Sequence, residues 1–113
     1  MSDDFLRIKN SLPVLGVGTG LRRELAADTF SCSADIDWLE IVAENYMDLG
    51  GLPRERLNRA LDSFSLVTHG VNLSIGSTDS LRNDYLIGTK KLLEKIDAPW
   101  WSDHLCFTSV AIK

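Results

Sequence analysis

Val67-Thr68-His69-Gly70-Val71-Asn72-Leu73-Ser74 closes a short apolar run that starts at Ser65 and stops at a histidine followed by glycine. A run of that length ending at a glycine break reads as a buried strand. The chain has only two histidines. The other stands in Trp100-Trp101-Ser102-Asp103-His104-Leu105, again near the end of a strand-like run. His69 and His104 are 35 residues apart (104 minus 69), about the length of one strand-helix-strand unit. Neighbouring parallel strands would bring both imidazoles to one end of a sheet.

The flanking segments supply the frame. Pro13 opens Val14-Leu15-Gly16-Val17-Gly18, a first strand, and Thr19-Gly20 turns the chain. Leu21 to Phe30 has a helical pattern with Leu21, Leu25 and Phe30 inward. Trp38 to Val42 is the second strand. After Gly50-Gly51, Pro53 fits a first helical position, and Leu57, Ala60, Leu61 and Phe64 follow at i, i+3, i+4, i+7 spacing. Ser65 to His69 is the third strand. Gly70 to Asp79 is a polar loop, and Ser80 or Asp79 caps a helix to Ile96 that buries Leu81, Tyr85, Leu92, Leu93 and Ile96. Trp100 to Leu105 is the fourth strand and Cys106 to Lys113 a tail. Residues 1–11 read as a polar, frayed lead-in to a single domain over 12–113.

This β-α-β-α-β-α-β alternation predicts an α/β fold with a parallel sheet and right-handed crossovers. It fits a small open sheet or the first half of a TIM (β/α)8 barrel, whose closure takes eight strands in about 250 residues. Parallel sheets are normally covered on both faces, so 113 residues standing alone predict a homo-oligomer.

Composition removes several function classes. Twelve basic residues against sixteen acidic give a net charge of −4, which is no footprint for nucleic acid. Arg22-Arg23 and Lys90-Lys91 read as solvated helix faces. No apolar run nears the roughly 18 residues of a membrane span, and the acidic start is no signal peptide, so a cytoplasmic, membrane-free protein is expected. Cys32 and Cys106 are too few for a disulfide framework and are expected reduced and near the core. The Gly16-x-Gly18-x-Gly20 pattern is not a dinucleotide fingerprint, because the position three past Gly18 is Leu21.

Sites in parallel α/β folds form at the carboxyl ends of strands. Glu44, Asn45, His69, Asn72, Ser74, Asp103 and His104 fall there. Imidazole with carboxylate suits iron, zinc or manganese; the bland alternative is packed strand-end histidines satisfied by backbone or by Ser or Asp partners. No serine stands in a G-x-S-x-G elbow, and nothing visible activates Cys106 as a nucleophile. Glu40, between Leu39 and Ile41, alternates toward the face that lines a barrel interior.

Five segments carry a family resemblance: Leu12-Pro13-x-Leu15-Gly16-Val17-Gly18-x-Gly20-Leu21-Arg22, Asp37-Trp38-Leu39-Glu40-Ile41, Ala43-Glu44-Asn45-Tyr46-Met47, His69-Gly70-Val71-x-Leu73-Ser74-x-Gly76-Ser77 and Ser102-Asp103-His104-Leu105. In order and spacing they resemble the N-terminal part of the family typified by MbnB and TglH, over about residues 12–109. The resemblance implies a TIM barrel with two or three non-haem iron ions. It implies oxygen-dependent modification of cysteine in ribosomally made precursor peptides, beside a peptide-recognition partner protein. His69 and His104 map onto expected iron ligands. Glu44 and Asn45 map onto the pocket wall, and Asp103 replaces a commoner glutamate that would orient a ligand; Asn72, from its place at a strand end, is expected in or behind the same pocket. The family's other ligands lie on later strands, so the chain carries half of the implied site and need not be active alone. Other readings are a non-catalytic remnant or assembly module that pairs with itself or another chain, and a different metal-dependent TIM-barrel isomerase or hydrolase.

Overall fold

The structure is a computed structural model that describes residues 2–47 and 50–110. Four parallel strands lie in sequence order: β1 (Gly18–Gly20), β2 (Trp38–Val42), β3 (Ser65–Gly70) and β4 (Trp101–Asp103). Helices α2 (Ala26–Ser31), α3 (Gly51–Ser63) and α4 (Asn83–Ile96) alternate with them, and α1 (Asp3–Ser11) precedes β1. This alternation is that of half a TIM barrel.

The register explains the core. Leu39 pairs with Leu66 and Ile41 with Thr68. All four are buried on the face covered by α2, α3 and α4, with Leu21, Ala26, Leu57, Ala60, Phe64, Leu92 and Ile96. Fully burying one such aliphatic side chain is worth about 1.5–3 kcal/mol. Thr68 belongs there only because its Oγ1 donates to the Ile41 carbonyl at 3.2 Å. The alternate residues Trp38, Glu40 and Val42, and beside them Ser65, Val67 and His69, line the opposite face. Glu40 is exposed there, as its alternation requires. Gly18 faces Trp38 closely enough that a Cβ would overlap the indole, which in turn meets Trp100 edge-on.

The structure corrects several sequence expectations. Residues 3–11 are helical rather than frayed, because Ser2 Oγ accepts from the Phe5 N–H and Asp3 and Asp4 favour the first turn. The first strand is Gly18–Gly20, not Val14–Gly18; Val14 is 97 % exposed. Asp37 sits at the strand's start: its carboxylate accepts from the Val17 N–H and its own N–H donates to the Val17 carbonyl, both at 2.8 Å, just ahead of the register that begins with Gly18 beside Trp38. The next segment divides into a 3-10 turn, Arg23–Leu25, and the short α2, which turns Leu25 outward. Helix α4 begins at Asn83 with no side-chain cap, leaving Leu81 exposed and Ser80 and Asp79 in the loop. Cys32 is exposed rather than near the core, and both cysteines are free.

Candidate functional site

β3 and β4 run in register, with His69 beside Ser102 and Gly70 beside Asp103. Side chains alternate across a sheet, so His69, Ser102 and His104 share the face opposite the helices. His69 Nδ1 lies 2.8 Å from Ser102 Oγ. The His104 N–H donates to the Gly70 carbonyl at 2.9 Å, which ties it to the end of β3. The two rings meet edge-on with centroids 5.9 Å apart. His69 is half-buried and His104 exposed. The imidazoles expected at one end of the sheet therefore do stand together. Among the described residues, no group of three or more His, Cys, Asp or Glu has a metal-holding arrangement.

The carboxylates gather on the other face. Glu44 follows β2 in a 3-10 turn, Ala43–Asn45, and its Oε1 accepts from the Val71 and Asn72 N–H groups at 2.8 and 3.1 Å. Asp103 Oδ1 accepts from the Leu73 N–H at 3.3 Å. Tyr85 Oη on α4 lies 2.5 Å from Glu44 Oε1 and 2.8 Å from Asp103 Oδ2, so one hydroxyl links both acids. Gly70 leaves the room: a Cβ there would overlap Asp103 Oδ2 and Tyr85 Oη. Burial pushes the Glu44 carboxyl up, but the Tyr85 hydroxyl and the Val71 and Asn72 N–H groups outweigh it, and the group rests below its ordinary range. Burial, then hydrogen bonding to both carboxylates, pushes the Tyr85 phenol well above its ordinary value. The Glu44 Oε2 atom is buried without a partner among the described residues.

The four expected pocket residues thus separate from the histidines. Glu44 and Asp103 hold the loop that follows His69, and Asn72 joins them through its backbone alone. The loop is fastened a second time by Ser74, at φ +58°, whose Oγ accepts from the Thr108 N–H at 2.8 Å. Asn45 is exposed on the wall of a cavity of about 460 Å³ at the carboxyl ends of β1 and β2, shared with Arg22, Arg23, Arg56 and one side of Glu44. Sequence reasoning missed Tyr85 as a polar group; the serine partner it allowed for a packed histidine is Ser102, on His69. A tyrosine on an apolar helix stripe was the available signal, since a buried phenol O–H needs a partner.

Residues 16–113 match the model of the RiPP (ribosomally made, modified peptide) precursor modification enzymes MbnB/TglH/ChrH. The chain belongs to the MbnB/TglH/ChrH family. It is 42 % identical over 96 residues to UPF0276 protein Anae109_1558 of Anaeromyxobacter sp. (strain Fw109-5), covering 85 % of this chain and 34 % of that protein. It is 39 % identical over 97 residues to UPF0276 protein AM1_3026 of Acaryochloris marina, covering 86 % and 35 %. A UPF0276 protein of Caulobacter vibrioides (strain NA1000 / CB15N) is 37 % identical over 99 residues, covering 87 % and 35 %. The chain spans about a third of the length of these MbnB/TglH/ChrH relatives. No helix among the described residues is long and apolar enough to cross a membrane.

Proposed function

We propose that this chain contributes the His69/His104 part of a non-haem iron centre to an oxygen-using enzyme that modifies cysteine in a ribosomally made precursor peptide. One observation carries the reading: in a member of this family, the only two histidines meet edge-on at the carboxyl end of adjacent parallel strands. Two imidazoles are the donors iron accepts, and they leave positions for further ligands and substrate. The fit is that of half a site, because no third ligand joins them among the described residues. Affinity falls steeply as ligands are lost, so iron held by these two alone is held weakly.

Iron bound here supplies redox chemistry toward dioxygen. The chain's own residues position. Ser102 orients the His69 ring: with Nδ1–H donating to Ser102 Oγ, the other ring nitrogen keeps its lone pair. Glu44, Tyr85 and Asp103 fix the loop from Val71 to Leu73, and so the exit of the chain from His69. The reading places the protein in the cytoplasm, where a substrate thiol stays reduced.

Metal analysis tests the assignment. Ferrous iron titrated anaerobically into the protein at equilibrium should bind weakly, and His69→Ala or His104→Ala should lower its affinity at least about tenfold. A folded wild-type chain that binds none at millimolar iron, or variants that bind as well as wild type, would overturn it.

A further inference from the structure

The cavity at the carboxyl ends of β1 and β2 carries a second proposal. It lies beside the histidine pair without containing it: Val42, which lines it, is the register partner of His69, and paired strands run about 4.8 Å apart. Three arginines line it in a chain whose net charge is −4. Arg23 is engaged with Glu24 at 3.3 Å. Glu44, the other acid on the wall, has its Oε1 committed to the Tyr85 hydroxyl and two loop N–H groups and its Oε2 buried. Arg22, exposed, is near enough to Glu24 to help hold its carboxyl down but forms no ion pair, and Arg56, half-buried, forms none either among the described residues. A partly desolvated, unpaired arginine such as Arg56 is costly to keep, and the planar fork of either arginine matches a carboxylate.

The remaining wall is apolar, made by Leu21, Val42, Tyr46 and Pro53. A volume of about 460 Å³ is within the range of ligand pockets and admits a few residues of an extended chain. Two guanidinium groups without ion pairs over an apolar floor suit alternating carboxylate and apolar side chains. They suit a nucleic acid poorly, since a chain of net charge −4 offers no extended basic surface to follow a phosphate backbone.

We propose that this cavity binds an acidic segment of the peptide substrate through Arg22 and Arg56, and so presents the neighbouring part of the peptide to the His69/His104 end of the sheet. The assignment rests on the peptide-modifying reading for the identity of its ligand, but it uses none of the proposed metal ligands.

The test is fluorescence anisotropy on the full 113-residue chain. Two labelled peptides of equal length each carry one cysteine; one bears aspartates, the other asparagines at the same positions. The aspartate peptide should bind about five- to tenfold tighter at low salt, as expected for two arginine–carboxylate contacts, and the preference should shrink at high salt. The double variant Arg22→Glu/Arg56→Glu, with wild-type circular dichroism, should abolish it. Arg54→Glu makes the same type of charge reversal outside this cavity and should leave the preference in place. His69→Ala should also keep it, so a failed iron assignment and a failed cavity assignment give different results. Equal affinity for the two peptides, a preference that survives in the folded double variant, or displacement by millimolar inorganic phosphate at constant ionic strength would each overturn the proposal.

Discussion

His69 and Asp103 sit one register step apart on neighbouring strands, yet their side chains leave the sheet on opposite faces. On one face, His69, Ser102 and His104 share one side-chain hydrogen bond and an edge-on ring contact. On the other, Glu44, Tyr85 and Asp103 are occupied with one another and with three loop N–H groups. The second cluster has two carboxylates and a phenol and would pass for a site by composition. Its groups are nearly all committed, and what they hold is backbone. The first is sparse and keeps ring nitrogens uncommitted. Titratable residues near each other are therefore a weaker sign of chemistry than groups left with bonding capacity.

If the carboxylate cluster is architecture, breaking it should cost folding stability. Tyr85→Phe keeps the buried ring and removes the hydroxyl that links the two acids. It should lower unfolding stability by about 1–3 kcal/mol, the cost of leaving part-buried polar groups without a partner. The urea midpoint should fall at unchanged slope. A midpoint within error of wild type would mean that the network holds nothing, and the contrast between the two faces would fail.

The Glu44 carboxyl sharpens the same contrast through pH. Hydrogen bonds hold it below its ordinary range in the folded chain. The folded state thus favours the ionised form more than the unfolded state does. That stability is present above the unfolded carboxyl pKa and is lost as pH falls through the lower folded value. In Glu44→Gln, the decline of stability below about pH 4.5 should be shallower than in wild type. Urea titrations at a series of pH values would show it, and identical acid limbs would remove Glu44 from the account.

Much of this fold was legible because its cues are local. β2 and β3 read correctly from apolar runs bounded by glycine and polar residues, and their register follows from which alternate residues must be buried. Trp38 to Val42 matched to the residue. β1 did not, because Gly-Thr-Gly carries no apolar signal and its start is marked by Asp37, twenty positions away, reaching the Val17 N–H. The pairing of the histidines was legible from equivalent places on successive strands. The separation of Glu44 and Asp103 from them was not: Asp103 lies next to His104 in sequence, and only strand alternation sends the two side chains to opposite faces. Arg22 and Arg56 lie 34 positions apart (56 minus 22) and meet on one cavity wall only in the folded chain.

Ser102→Ala should have the smallest effect on folding and is the most informative about the histidine face. Ser102 is exposed and, among the described residues, its hydroxyl meets only His69 Nδ1, so losing it should change unfolding stability by no more than about 0.5 kcal/mol. Its effect on metal depends on the direction of the hydrogen bond. If the serine donates, Nδ1 is the acceptor and the far nitrogen of a neutral ring carries the hydrogen, which leaves no lone pair there for a metal. If the ring donates, the far nitrogen is free, and Ser102 selects the tautomer that can ligate. The proposed iron site requires the second arrangement. Ser102→Ala should then weaken ferrous-iron affinity by up to about tenfold with folding intact, the lower end of what losing a partner of a ligating histidine costs. Ser102→Thr, which keeps the hydroxyl, should restore most of the loss. Unchanged iron affinity in Ser102→Ala would show that the serine does not set the tautomer, and the hydrogen bond would then be packing on this face as the carboxylate network is on the other.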